Sequence, residues 1–335
     1  MNLSNLNEIL KSEPAYRTKQ AKKLIYQDLI ENWSDATTLP RELRGKLDEK
    51  CSLSIEGEIF ISSDKRTVKA LITFSDGLKA EAVLMRYDKR NTVCVSSQIG
   101  CPLGCKFCAT GKMGFKRNLD FSEIVEQVLF FARYLKKENG KVTNIVFMGM
   151  GEPFLNYENV IGAIKILNNK EEFGLGARHI SVSTIGITEG IKKLSQEKIQ
   201  INLAISLHAC RNTLRLEIIP FNEKYSIEKI FKATGDYIKK TGKKVMLEYV
   251  MIKDVNDSDQ DAEMLANLAR GYFYVANLIL YNPTGIFKPS PKARVEKFKE
   301  ILISGGANVT ERYRFGKEIK AACGQLAYDN GKMLS

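Results

Sequence analysis

The chain has 335 residues, 44% hydrophobic and 27% charged, enough apolar material for one large domain with an appendage or for two ordinary domains. That balance excludes wholesale disorder, and no run approaches the apolar length of a membrane span. Lys and Arg number 51 against 39 Asp and Glu, and the net charge of +12 suits a polyanionic partner.

The opening MNLSNLNEILKSEPAYRTKQ has no apolar core behind a basic end, so no secretory signal is expected and the expected location is cytoplasmic. Residues 1–52 read as a helical module. Tyr16, Leu24, Ile25, Leu29 and Ile30 form an apolar stripe with Lys19, Lys22 and Lys23 off it, and Pro40 precedes a second helix, RELRGKLDEK. Residues 53–90 change character: EIFIS, VKALITF and AEAVLM, punctuated by SSDKR and Asp76-Gly77, predict a small antiparallel β extension.

From residue 91 to the end the pattern repeats. TVCVSSQ, NIVFMGMG, HISVSTIG, INLAISLHA, VMLEYVMI and VANLILYNP read as strands, each followed by an amphipathic helical stretch, with NVTERYRF as a further strand. Near-continuous apolar strands alternating with helices predict an α/β core with a parallel sheet, either doubly wound or a partial (β/α) barrel. In both, chemistry gathers at the strands' C-terminal ends. CPLGCKFC, GMGEP, STIG, SLH and YNPTG all fall there.

Three of the seven Cys, Cys101, Cys105 and Cys108, crowd into eight residues with the spacing C-x3-C-x2-C. This argues against a secreted disulfide framework and for metal or redox chemistry. Thiolates suit zinc or iron–sulfur clusters. Structural zinc wants a fourth protein ligand, usually from a second C-x2-C pair, and none is present. Three ligands on a four-iron cluster leave one iron open to a small molecule.

The loop GCPLGCKFCATG resembles the signature of the radical S-adenosylmethionine (SAM) superfamily. The resemblance implies a partial (β/α)6 radical SAM barrel carrying a 4Fe-4S cluster on Cys101, Cys105 and Cys108. It also implies that Gly151, Glu152, Ser183, Ser206, Leu207, His208 and Asn282 contact SAM. Read alone, His208 is more often a satisfied core histidine.

CVSSQIGCPLGCKFCATG, FMGMGEPFLN, LAISLHA and AACGQLA together resemble the RlmN/Cfr family of RNA adenine methyltransferases, and GEP with EAVLM resembles its RlmN-type, dual-specificity branch. Carbon 2 of adenine offers no electron pair to SAM, so a methyl carrier that can become a carbon radical is required, and a thiolate accepts a methyl by displacement. The resemblance implies that Cys323 is this carrier (the S-methylcysteine) and that two SAM are consumed per turnover. It implies that Glu81 takes the ring proton and that Cys94 resolves the covalent RNA intermediate through a transient disulfide with Cys323. Alone, Cys94 and Cys323 read as small buried hydrophobes and Glu81 as a solvated charge. Cys51 and Cys210 match no family role.

The implied substrates are 23S rRNA near the peptidyl-transferase centre and tRNA just 3′ of the anticodon. The implied electron donor is a flavodoxin or ferredoxin, and nothing demands more than a monomer. Lys112, Lys116, Arg117, Arg312, Arg314, Lys317 and Lys320 are candidate phosphate contacts, with Phe115, Tyr313 and Phe315 as candidate stacking rings. A Cfr-type carbon-8 enzyme and a non-catalytic, metal-stabilised RNA-binding protein are the competing readings.

Overall fold

The computed structural model describes residues 3–312, 316, 318–329, 332 and 333. Helices α1 (Leu3–Leu10), α2 (Ala15–Tyr26) and α3 (Arg41–Lys50) open the chain. Leu24 and Ile25 are buried as their spacing predicts, but Tyr16 is 55% exposed and leaves the stripe. Trp33, fully buried between α2 and α3, donates its indole N–H to the Cys51 carbonyl at 2.7 Å. These helices share one apolar core with the rest of the chain. Arg133 ties them down by donating to the Ile30 and Leu53 carbonyls, as does Lys22, 2.6 Å from Glu172.

Strands β1 (Glu56–Ile61), β2 (Thr67–Thr73) and β3 (Lys79–Tyr87) form the expected antiparallel meander, and β3 also pairs antiparallel with β4 (Arg90–Val95). β4 then pairs in parallel with β7 (Asn144–Phe147). The small sheet is therefore hydrogen-bonded into the main one. Between them a short hairpin of β5 (Gln98–Gly100) and β6 (Phe115–Asn118) brackets α4 (Ala109–Lys112).

Six strand–helix units follow from β4. Helix α5 (Phe121–Lys136) leads to β7, α6 (Tyr157–Asn168) to β8 (Ile180–Thr184), and α7 (Thr188–Leu194) to β9 (Asn202–Ser206). Then α8 (Asn212–Ile218) and α9 (Ile227–Thr241) precede β10 (Val245–Met251), α10 (Asp259–Ala269) precedes β11 (Tyr274–Leu280), and α11 (Lys292–Ser304) precedes β12 (Asn308–Glu311). The two-residue strands β13 (Tyr328–Asp329) and β14 (Lys332–Met333) end the described chain. The sheet runs β1-β2-β3-β4-β7-β8-β9-β10-β11-β12, parallel from β4 onward. This is the α/β partial barrel expected, left open at both edges.

Local chemistry sets the helix starts. Asp120 with Glu123, and Ser258 with Asp261, form capping boxes that satisfy orphan amides at the first turns of α5 and α10. Gly242 closes α9 at φ 67°, a left-handed position that glycine takes without strain. Among the described residues no helix is long and apolar enough to cross a membrane.

Candidate active site

The parallel strands deliver their polar residues to one rim. Ser183 is the last residue but one of β8, Ser206 ends β9 and leads into Leu207 and His208, Asn282 follows β11, and Arg312 follows β12. Each apolar strand stops where a polar residue or glycine can face a cavity without burying an unpaired group in the core.

The cysteine loop after β4 is fixed from several sides. Ser97 and Gln98 donate to the Met150 carbonyl at 2.9 and 3.2 Å, and Cys101 donates its amide to Gly114 at 3.0 Å. Gly100 has φ 73°, and a Cβ there would lie 1.8 Å from the Gly114 carbonyl oxygen, so the turn requires glycine. Cys101, Cys105 and Cys108 all line one cavity. Among the described residues no three His, Cys, Asp or Glu side chains converge as a single ion demands.

The same cavity is also lined by Gly151, Glu152, Ser183, Ser206 and His208. Glu152 accepts from the amides of Phe154 (3.0 Å) and Ile185 (2.9 Å), while burial pushes its carboxyl up to about 7. Ser183 and Ser206 pair at 3.1 Å. His208 Nδ1 accepts the Val250 amide at 3.1 Å, which places the proton of the neutral ring on Nε2, and burial lowers its pKa to about 3. It is thus a satisfied histidine that also faces the cavity. Leu207 differs: its side chain is in the core, its amide donates to Glu248 at 3.1 Å, and it does not line the cavity.

A second, smaller cavity adjoins the first and is lined by Val83, Met85, Cys94, Asn282, Arg312 and Cys323, among others. Met148, Arg312 and Cys323 belong to both. Cys323 is the one exposed cysteine of the seven, and its thiol opens into this shared wall. The cleft crowds out enough water to raise its pKa, with Arg312 opposing. Burial pushes the Cys94 thiol up to about 12. No disulfide joins Cys94 to Cys323, so the implied bond between them is not a standing crosslink. The Cys323 segment is strapped to the cysteine loop: Ala109 donates to Gly324 at 2.7 Å and Thr110 Oγ1 to Leu326 at 2.5 Å. Asn282 Nδ2 donates to the Cys323 carbonyl at 3.2 Å.

Residues 95–266 match the model of the Radical SAM superfamily. A protein of Dictyoglomus turgidum named "Probable dual-specificity RNA methyltransferase RlmN" is 46% identical over 94% of this chain and 91% of its own. "Ribosomal RNA large subunit methyltransferase N" of Nitrosopumilus maritimus is 46% identical over 94% of this chain and 93% of its own. The crystal structure of a radical SAM methyltransferase from Sphaerobacter thermophilus superposes with a TM-score of 0.93, at 41% identity and 97% coverage of both chains. The chain belongs to the RlmN family of radical SAM methyltransferases. It is a SAM-dependent enzyme.

The residues present fit the groups an RlmN-type enzyme carries. Three soft thiols from one loop line one cavity, the donor set that a 4Fe-4S cluster held by three cysteines would take. Gly151, in the wall of the same cavity, sits at φ 97°, where a Cβ would meet the Gln98 side chain at 2.5 Å, so this turn packs directly on Gln98 and requires glycine. Two buried acceptors, Glu248 Oε1 and Asn282 Oδ1, have no hydrogen-bond partner among the described residues.

Several basic residues turn out to be engaged elsewhere. Arg312, expected on phosphate, is 19% exposed inside the cavity, 3.9 Å from Glu248. Arg117 is clamped by Asp76 (2.6 Å) and Glu123 (2.7 Å), and Lys112 donates to the Thr284 carbonyl at 2.6 Å. Lys19 and Lys22 pair with Glu171 and Glu172 on the barrel. Lys116 and Phe115 are exposed beside the cysteine loop, and Lys320 is half-buried. Tyr313, Arg314, Phe315 and Lys317 lie outside the described residues. The buried Lys69, Arg215, Glu248 and Asn277 were not singled out from sequence.

Proposed function

We propose that this enzyme methylates carbon 2 of adenosine in 23S rRNA of the large ribosomal subunit and in tRNA 3′ of the anticodon, through S-methylated Cys323 and a covalent RNA intermediate. The observation that carries the reading is the position of Cys323 in the wall between the cavity of Cys101, Cys105 and Cys108 and the cavity of Cys94. The dual-specificity and ribosomal-RNA names of the relatives support the substrate class.

When bound, the cluster and two SAM supply a methyl group and a 5′-deoxyadenosyl radical. The protein's part is holding, orienting and moving protons. Cys101, Cys105 and Cys108 would hold the cluster, while Gly151, Glu152, Ser183, Ser206, the Leu207 backbone, His208 and Asn282 would hold SAM. Cys323 takes the methyl by displacement after losing its proton beside Arg312, whose charge favours the thiolate. Once the carrier carbon is joined to the ring, the Glu81 carboxylate removes the proton from carbon 2. The Cys94 thiol then attacks the Cys323 sulfur: the sulfur–sulfur bond forms as the bond from Cys323 sulfur to the methylene breaks, its electron pair stays on that carbon, and the carbon takes up the proton Cys94 gives up and becomes the methyl group of the product.

Residues 1–52 form an RNA-binding helical module, 53–90 a β extension and 91–335 the catalytic core. The enzyme acts as a cytoplasmic monomer that receives electrons from a flavodoxin or ferredoxin. Nucleoside analysis of RNA treated with reconstituted enzyme tests the reading. 2-Methyladenosine supports it, 8-methyladenosine makes the enzyme Cfr-type, and a colourless zinc protein that yields no product leaves the non-catalytic RNA-binding reading.

A further inference from the structure

Lys69 lies in the middle of β2, opposite Val83 of β3, which in turn lies opposite Cys94 of β4. Side chains directly across an antiparallel pair share a face, as do residues two apart on one strand. Lys69, Glu81, Val83 and Cys94 therefore share one face of the sheet, the face that Val83 and Cys94 turn to the carrier cavity. Lys69 Nζ lies 2.8 Å from Glu81 Oε1, with the two side chains only 1% and 2% exposed. The Phe60 ring of β1 covers the ammonium, 5.3 Å from its centroid. A lysine this deeply buried is almost always paired, because the unpaired ion would forfeit its hydration.

We infer that Lys69 is the positioning residue of the proton-accepting carboxylate: its ammonium keeps Glu81 ionised and fixes Oε1 on the cavity face. The inference rests on the assignment of Glu81 as the base. Burial raises the Glu81 pKa, and Lys69 is the largest influence acting against it. The Ala327 backbone amide, on the segment that brings Cys323, helps in the same direction. From β4 the neighbouring titratable group on this face is the Cys94 thiol; β1 contributes the uncharged Phe60 and, opposite Leu71, the exposed Glu58, and β3 itself carries the half-buried Lys79 two residues before Glu81. Without Lys69 the largest influence opposing desolvation is gone, so the carboxyl protonates and can no longer accept the ring proton.

The test compares K69M, K69R and E81Q. The first readout needs neither cluster nor RNA: infrared difference spectra of 13C-glutamate protein against E81Q report whether Glu81 is a carboxylate at each pH. The second is the pH profile of product formation by the reconstituted enzyme. Wild type is expected to show carboxylate at pH 7, whereas K69M shows neutral carboxyl there and ionises only at higher pH. Its turnover at pH 7 falls on the order of 10²-fold, the usual worth of a positioned general base. The acid limb of its pH profile moves upward, so part of the loss is recovered in alkali. K69R restores both the carboxylate and the acid limb.

An ionised Glu81 at pH 7 in K69M, with the wild-type acid limb, overturns the inference whatever the rate. Should K69M not fold, a neutral Glu81 in wild type at pH 7 overturns it equally. E81Q separates the two levels. Normal turnover in E81Q removes the base assignment itself. A stalled E81Q with protein-bound RNA, beside a K69M that titrates like wild type, removes only the role of Lys69.

Discussion

Replacing Arg215 with Met tests how the cavity is held open. Arg215 on α8 is fully buried. Its Nε donates to the Leu207 carbonyl at 2.9 Å, and its terminal nitrogens reach Ser206 (3.1 Å), Tyr225 (3.3 Å) and Ile185. One planar fork thus ties the end of β8 to the end of β9, where Ser183, Ser206 and His208 face the cavity. Met keeps the apolar stem and removes every donor; the Leu207 carbonyl keeps the Ala209 amide at 2.8 Å, and each carbonyl left buried and unpaired costs about 1–3 kcal/mol. Relaxation of the loop recovers part of this, and a loss of about 3–5 kcal/mol is expected, the figure for stripping one partner from a buried charged network. Against a usual stability of about 5–15 kcal/mol that is a large fraction. Urea denaturation of wild type, R215M and R215K measures it, and calorimetric titration of SAM into reconstituted protein reads the cavity. R215K should recover little, because an ammonium cannot span both strand ends as a guanidinium does. R215M within 1 kcal/mol of wild type, with unchanged SAM affinity, would refute this account.

His208 gives a pH prediction. Its folded pKa of about 3 lies below the ordinary 6.5, so between those values the unfolded chain binds a proton that the native state declines. Stability therefore falls as pH drops below about 6.5, by up to ~1.4 kcal/mol per unit from this group; H208N should flatten that slope in denaturation series from pH 7 to 4. G151A places a Cβ 2.5 Å from Gln98 at φ 97°. Strain of about 1–3 kcal/mol should weaken SAM binding by tenfold or more with the iron content unchanged, as SAM titration and iron analysis will show. C94A should accumulate protein-bound RNA on denaturing gels, because the adduct on Cys323 then lacks a resolving thiol; free methylated product at the wild-type rate would contradict it.

Much of the architecture was legible because parallel strands covered on both faces must be apolar throughout, and NIVF, NLAIS and YVANLIL are nearly so. The rim was legible for the complementary reason: Gly151, Ser183 and Ser206 interrupt those runs where a cavity begins. Short elements were not. Helix α8 spans seven residues, NTLRLEI, too few to show a period, and its buried arginine reads as a surface charge. The β5–β6 hairpin and α4 are shorter still and owe their shape to contacts with the cysteine loop. A basic run cannot tell inward from outward, which is why Arg312 looked like a phosphate contact before β12 turned it into the cavity. Glu81 looked solvated for the same reason, and nothing in VKALITF marked Lys69 out. Alternation places both on one face, but only the fold reveals that this face is covered and that the two charges meet.

The most direct measurement follows the methyl group. Anaerobically reconstituted enzyme is incubated with SAM bearing a deuterated methyl and with ribosome-free 23S rRNA, and the Cys323 peptide and RNA nucleosides are analysed by mass spectrometry. Label should appear on Cys323 and then on 2-methyladenosine, while C323A makes no product and keeps its iron and its cluster absorption. Methylated adenosine from C323A, or full iron content after Cys101, Cys105 and Cys108 are all replaced by Ala, would contradict it.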